Sequence, residues 1–396
     1  MIRHSLLRSP LGRLFAALLA LIAVAGVVGL IVLWPSGEPK AELGPALATE
    51  TERATVNAVE EFRCSGFQIE VCRRVRIALN SGADEGQEFM LTLGTGGLDP
   101  DLDVGDEIRV VENVVPPGVP QSQQAKYSLS DFERRAPMIW LAIAFALLVV
   151  VFGRLRGVLS LAGLVLSLAI VLVFVVPAIL EGEEPLAVAI VGSVAIALTA
   201  IPLAHGLGAK SVAAMLGTCF SLLLTAGLAV LFTNLTHLTG LSSEEATLLQ
   251  VNDAGLSLEG LLLAGMVIGA LGVLDDVTIS QASTVLALRG ADPSSGFGTL
   301  YHRAIAVGRD HVSATVNTLV LAYVGAALPV LLIFSGGELG FFDAANFELV
   351  AKEIVAMLVG SIGLIAAVPL TTALAALLSR AVPDEELAQV ELGHVH

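Results

Sequence analysis

Two adjacent carboxylates stand inside a stretch that otherwise has the character of a membrane-spanning helix. The stretch covers residues 260–289, and the two acids are Asp275 and Asp276. Ionisable side chains at membrane depth are costly, so they mark candidate sites for a coupling ion, a proton or a polar solute. The pattern predicts that this helix carries the chemistry of the protein.

Helical spacing separates the two acids. Asp276 follows a series of small residues three or four positions apart, which fall on one face at about 100° per residue. Small residues let a neighbouring helix approach closely, so we expect Asp276 to face protein or a cavity and Asp275 to lie about 100° away. The shared face consists of Gly265, Gly269, Gly272, Asp276, Ser280 and Ser283.

A second polar membrane segment, residues 308–332, supplies further candidates. Asp310, Ser313 and Asn317 share one face, and His311 lies on the adjoining face. An asparagine carbonyl can bind a cation, and a histidine can relay protons near neutral pH. Asn317 as a helix–helix hydrogen-bonding group and His311 as a water-facing boundary residue are the alternatives. The predicted ion or substrate site comprises Asp276, Asp275, Ser280, Asn317, Asp310 and His311.

The length of the acid-bearing stretch leaves two interpretations open. Residues 256–288 are too many for one crossing of a hydrocarbon core of about 30 Å. Either the helix ends near Asp276 and both acids cap a following amphipathic segment, or it breaks within residues 274–278 and continues as a re-entrant or interfacial segment. We expect the break, with the acids in the inner half of the membrane.

Signatures of enzymes and metal sites are lacking. The sequence has no Cys/His zinc spacing, no phosphate-binding Gly-Lys-Ser/Thr motif and no Gly-x-Ser-x-Gly motif. An intramembrane aspartyl protease needs two facing aspartates, and Asp310 is the candidate partner of Asp275. We expect no enzymatic activity, no cofactor and no metal site.

The composition describes a membrane protein. Hydrophobic residues make up 55% of the chain and charged residues 15%, and the mean hydropathy is +0.82. These values exclude an ordinary soluble domain. The net charge of −16 argues against a nucleic-acid partner, because phosphates require a basic surface.

The predicted fold is an all-α polytopic membrane bundle of about eight transmembrane helices. Residues 14–34 carry no charge and follow three arginines, which predicts an uncleaved anchor; a cleaved signal peptide would have a shorter apolar core. The other predicted spans are residues 137–152, 158–180, 186–203, 212–232, 258–277 with its continuation, 312–334 and 354–378.

A small extracytoplasmic β-barrel-like domain, with an OB-like barrel as one option, is predicted after the first helix. Its β-like runs are residues 54–59, 75–79, 89–93 and 107–111, with turn signals between them. In an oxidising compartment Cys64 and Cys72 could form a disulfide, whereas Cys219 reads as a small buried residue. The predicted domains are residues 1–36 (cytoplasmic arm and anchor), 37–136 (β domain), 137–380 (seven-helix membrane domain) and 381–396 (acidic cytoplasmic tail).

The distribution of basic residues predicts the orientation. Arginine and lysine occur in alternate loops, and the loops between them, residues 181–185, 234–257 and 335–350, contain neither. By the positive-inside rule both termini are cytoplasmic and the β domain is extracytoplasmic.

Several of these segments together resemble the YibE/F-like family of bacterial membrane proteins. The matching pieces are residues 127–134 (YSLSDFER), 269–283 (GALGVLDDVTISQAS), 308–332 and 353–372. The resemblance implies a polytopic protein of the bacterial inner membrane with an extracytoplasmic domain before the main bundle. It implies no particular activity.

Two functions follow as hypotheses. The first is a transporter or channel for a small ion or solute that uses Asp276 as its intramembrane carboxylate. The alternative is a non-transporting scaffold or sensor whose β domain binds an envelope partner. Beyond the lipid bilayer, the candidate partners are a small ion or solute, a second copy of the chain and an envelope protein.

Overall fold

The computed structural model describes residues 9–37, 50–63, 72–94, 100–113, 125–252, 255–336 and 340–382. The chain divides into two compact units. One unit, Leu43–Leu148, contains the strands. The other combines Met1–Glu42 with Val149–His396 and is helical. The predicted acidic tail lies outside the described residues from position 383 onward.

The strands form one antiparallel sheet in the order β3-β2-β1-β4-β5. Alternate residues point inward, so that Val75, Ile77 and Leu79 of β2 are all buried. All four predicted runs are confirmed as strands, and the structure adds a fifth. The strands are β1 (Thr51–Phe62), β2 (Cys72–Leu79), β3 (Glu88–Leu93), β4 (Glu107–Glu112) and β5 (Tyr127–Phe132).

The sheet curls so that its edge strands β3 and β5 approach each other. The rings of Phe89 and Tyr127 meet edge to face with their centroids 4.8 Å apart. The Tyr127 hydroxyl donates to Asp84 Oδ2 at 2.8 Å, and Lys126 pairs with the same carboxylate. The structure confirms a small curled sheet, while a closed or OB-like barrel stays a prediction. Cys72 is buried at the start of β2, but Cys64 lies outside the described residues, so their disulfide also stays a prediction.

Among the described residues, six helices are long and apolar enough to cross a membrane, or seven if one bent pair counts as a single span. The predicted total of eight spans stays a prediction. The helices of the described chain are α1 (Pro10–Val32), α2 (Arg135–Ile170), a π-helix (Val171–Val175), α3 (Val176–Leu180), α4 (Pro185–His205), α5 (Ala209–Leu235), α6 (Glu244–Asn252), α7 (Leu258–Ala291), α8 (Phe297–Ala326), α9 (Leu328–Ser335), α10 (Phe341–Asn346) and α11 (Glu348–Ser379).

Two of these helical segments are interrupted. The apolar segment Arg135–Leu180 is 46 residues long, and Arg154 has non-helical dihedral angles (φ 51°, ψ −133°). Gly157 lies directly against the carbonyl of Val149, which a straight helix would place about 12 Å away. The chain therefore bends sharply between the two predicted spans. Helices α8 and α9 form the bent pair, at an angle of 63°.

Helices α5, α7 and α11 form the centre of the bundle. Helix α5 runs antiparallel to α11, and the two helices exchange contacts between glycine and threonine: Gly217 receives the hydroxyl of Thr371, and Gly363 receives that of Thr225. Small residues at both positions let the helix backbones approach closely. Helix α1 packs on α4 through Gly26 and joins the same core.

Helix α7 is continuous over its 34 residues, so the break predicted at residues 274–278 is wrong. The capping interpretation is also wrong, because the helix continues to Ala291, well beyond Asp276. The segment after the acids stays helical because it packs inside the bundle, with Val277, Thr278 and Gln281 all buried.

Candidate functional site

The two carboxylates of α7 have the opposite orientation to the one expected. Asp276 is exposed, whereas Asp275 is half-buried. Asp275 Oδ1 is withdrawn from solvent and has no hydrogen-bond partner among the described residues. In the described chain, no atom lies within 4 Å of a Cβ added at Gly265 or Gly272, so the glycine face is open at these two positions.

The reason for this reversal is the bulk of the side chains. The opposite face of α7 carries Leu274, Val277 and Thr278, which are almost fully buried. Large side chains gain more van der Waals contact with neighbouring helices than glycines do, and Thr278 also gains a hydrogen bond to Thr218. The large face therefore packs into the bundle and leaves the glycine face, together with Asp276, outside.

Two polar side chains of α7 fix the helix against its neighbours. The hydroxyls of Thr278 and Thr218 on α5 lie 2.7 Å apart and share a hydrogen bond. The Gln281 side-chain amide donates to Thr372 Oγ1 on α11 at 2.7 Å and to the carbonyl of Ala304 on α8 at 2.9 Å. Buried hydrogen bonds of this kind hold Asp275 at a defined depth.

Helix α8 brings two predicted residues to the depth of Asp275. Gln281 contacts Ala304, and Gly269 approaches Tyr323, so α7 and α8 are antiparallel. Asp275 lies six residues before Gln281, and Asp310 lies six residues after Ala304. On antiparallel helices these steps lead in the same direction, so Asp275 is level with Asp310 and His311.

The remaining predicted residues are less enclosed. Asp310 and Asn317 are exposed, and Ser280 and His311 are half-buried. His311 Nε2 is buried and lacks a hydrogen-bond partner in the described ranges. Among the described residues, no hydrogen bond or ion pair joins Asp275, Asp276, Asp310 or His311 to one another.

Several charged side chains surround His205 at the end of α4. Arg156 and Lys210 are within electrostatic range of His205 at the end of α4, and so is Asp276. His205 is therefore a basic residue within electrostatic range of Asp276, whereas one carboxylate oxygen of Asp275 is buried.

Sequence reasoning missed a set of buried hydroxyls on α5. Hydroxyl residues recur on α5 at intervals of seven, at Ser211, Thr218 and Thr225, and all three are buried. Ser221 lies on the same side of α5, and its Oγ is buried with no hydrogen-bond partner in the described chain. The seven-residue spacing was visible in the sequence, but Ser and Thr are common in membrane helices and alone indicate little.

In the part of the chain that the structure describes, no three His, Cys, Asp or Glu side chains form a group able to hold a metal ion. The oxygen atoms that the described residues bring together at Asp275 are its own carboxylate and the Thr278 hydroxyl, which lies 3.1 Å from its backbone carbonyl. Such a set suits a proton or a hard cation better than a transition metal.

The helical bundle and its apolar helices are those of a polytopic helical membrane protein, and a small β unit accompanies them. The family model for YibE/F-like proteins matches residues 141–381, more than half of the chain. The chain belongs to the YibE/F-like family, as its motifs indicated. No curated protein and no solved structure matches it.

Proposed function

We propose that this protein moves a small ion or solute across the membrane, with Asp275 as the carboxylate that binds it. The observation that carries the proposal is Asp275 Oδ1, which is withdrawn from water and has no hydrogen-bond partner among the described residues. An isolated carboxylate oxygen in a low-dielectric environment costs several kcal/mol unless a proton or cation compensates it.

The surroundings of Asp275 support this role. The residue lies near the middle of α7, which packs between α5 and α11. Its neighbour Asp276 adds a second negative charge on the open face, where it favours the approach of cations. Asp310 and His311, at the same depth on α8, are candidates for proton transfer on the way to Asp275.

The direct test is an ion-flux survey of the purified full-length protein in liposomes. We expect wild type to conduct at least one of H⁺, Na⁺ and K⁺. Asp275→Asn lowers that flux by about tenfold or more, because losing one charge-assisted contact changes a rate by about that factor.

Glu259→Gln is the matched control. Glu259 is an exposed acid in the first turn of the same helix, and its substitution leaves the flux unchanged. Wild-type flux in Asp275→Asn would overturn the proposal. If the wild-type protein moves no ion or solute, the alternative of a scaffold whose β unit binds an envelope partner takes its place.

A further inference from the structure

Three basic side chains from three helices converge at one end of the bundle. Arg156 follows the bend in α2, His205 is the last residue of α4, and Lys210 is the second residue of α5. Each of the three lies within electrostatic range of the other two. Like charges repel one another, so a cluster of this kind attracts an anion.

The packing of α4 against the segment that precedes it shows how these helices run. The backbone of Gly163 on α2 approaches that of Ala200 on α4. Further along, the backbone of Gly192 on α4 approaches the side chain of Val175 in the π-helix. The residue numbers rise along one segment as they fall along the other, so the two segments are antiparallel.

This packing places the three basic residues at one level independently of their charges. Arg156 lies seven residues before Gly163, and His205 lies five residues after Ala200. On antiparallel helices both steps lead in the same direction, by about 10 Å and about 8 Å. The connection from α4 to α5 is three residues long, so Lys210 also lies close to the end of α4.

The cluster keeps a net positive charge. In the described ranges, no ion pair involves Arg156, His205 or Lys210. Asp276 is within electrostatic range of His205, whereas the one charged group of the described chain that acts on Lys210 is Arg156. The arginine and the lysine together therefore outweigh the single acid.

Exposed apolar side chains flank the cluster. Leu155, next to Arg156, and Leu207, two residues after His205, are both exposed. A ligand with a charged head and an apolar body can contact the bases and the leucines together. Basic sites between membrane helices bind anionic lipid headgroups in this way.

We propose that Arg156, His205 and Lys210 form a binding site for the phosphate group of an anionic phospholipid. Arginine and lysine both donate hydrogen bonds to phosphate oxygens. A zwitterionic lipid brings a cation of its own, which these bases repel, so the site selects for net negative charge. The site goes beyond the proposed function and does not depend on ion flux.

Native mass spectrometry of the full-length protein in detergent measures lipid binding directly. Palmitoyl-oleoyl phosphatidylglycerol and palmitoyl-oleoyl phosphatidylcholine are titrated separately. Since each basic residue near a membrane surface contributes about fivefold in affinity for an anionic lipid, we expect wild type to prefer phosphatidylglycerol by at least about tenfold. Lys210→Gln lowers this preference by about fivefold, and Arg156→Gln combined with Lys210→Gln abolishes it.

Arg303→Gln is the matched control. Arg303 is also exposed, but it pairs with Asp292 at 3.8 Å and is not among the charges within range of His205. Its substitution leaves the preference unchanged. Lys210→Arg keeps the charge and the preference, which separates the loss of a charge from a loss of folding.

Inorganic phosphate, added as a competitor, distinguishes the lipid from the free anion. A preference for phosphatidylglycerol that the double variant loses and Arg303→Gln retains supports the site. Equal affinity for the two lipids in wild type, or an unchanged preference in the double variant, overturns it. Displacement of phosphatidylglycerol by an equal concentration of phosphate also overturns the lipid site and assigns the cluster to free phosphate. Either failure leaves the proposed function standing.

Discussion

A carboxylate oxygen that is removed from water needs another partner for its charge. Asp275 and Asp276 differ in how far they are removed from water. Asp276 is exposed and lies within electrostatic range of His205 on α4. One oxygen of Asp275 is buried and has no hydrogen-bond partner among the described residues. The two neighbours therefore have different chemistry, and the buried one is suited to bind an ion.

In the β unit the carboxylate of Asp84 accepts hydrogen bonds from Lys126 and Tyr127, and its titration leads to a testable prediction. The hydrogen bond from Lys126 and then that from the Tyr127 hydroxyl lower the pKa of Asp84. A lowered pKa in the folded state stabilises the protein above the ordinary carboxyl pKa of about 3.9. That stability is lost as the pH falls through the lower, folded value.

We expect Asp84→Asn to raise amide exchange in β5 about threefold at pH 7, as for loss of an exposed ion pair. The ratio of exchange rates between variant and wild type, measured at the same pH by mass spectrometry, returns to one near pH 2. Glu85→Gln, an exposed neighbour, leaves the ratio at one throughout. A ratio that does not depend on pH would contradict the contact between the sheet edges.

At the scale of helices, the reciprocal contact between α5 and α11 determines how closely the core packs. Gly217→Ala places a methyl group against the Thr371 hydroxyl, and we expect a loss of about 1–3 kcal/mol in unfolding free energy from overpacking. The double variant Gly217→Ala with Thr371→Ala recovers most of this loss.

Thermal unfolding in detergent measures both variants. Gly265→Ala is the control, because no described atom lies within 4 Å of an added Cβ there. We expect Gly265→Ala to be neutral or slightly stabilising, since alanine has a higher helix propensity than glycine. Equal destabilisation at Gly217 and Gly265 would mean that α5 and α11 are not in this contact.

Several elements were predictable from the sequence because their signals are local. Alternation of apolar residues predicted four strands, and apolar length predicted the positions of most helices. The orientation of α7 was not predictable, because it depends on which face fits α5 and α11 rather than on the spacing of glycines.

For the whole molecule, the basic residues and the topology together predict which side each loop faces. Glu183→Cys lies in a loop without basic residues, and Ala291→Cys lies next to the basic loop after α7. We expect a membrane-impermeant maleimide to label position 183 in intact cells and position 291 only after permeabilisation. The unmodified chain gives the background, since its free cysteine in the described residues, Cys219, is buried. The reverse pattern would invert the orientation.

The proposed transport function depends on Asp275 as the ion-binding carboxylate. A paired comparison of Asp275 and Asp276 tests this assignment most directly. Asp275→Asn and Asp276→Asn are reconstituted at equal density, and the flux of the conducted ion is measured under the same gradient. We expect Asp275→Asn to lose at least about nine tenths of the flux, because the substitution removes the charge that binds the ion. Asp276→Asn, which changes only the surface field, loses about half or less at physiological salt. Full loss of flux in Asp276→Asn, with normal flux in Asp275→Asn, would contradict the assignment of Asp275 as the ion-binding carboxylate.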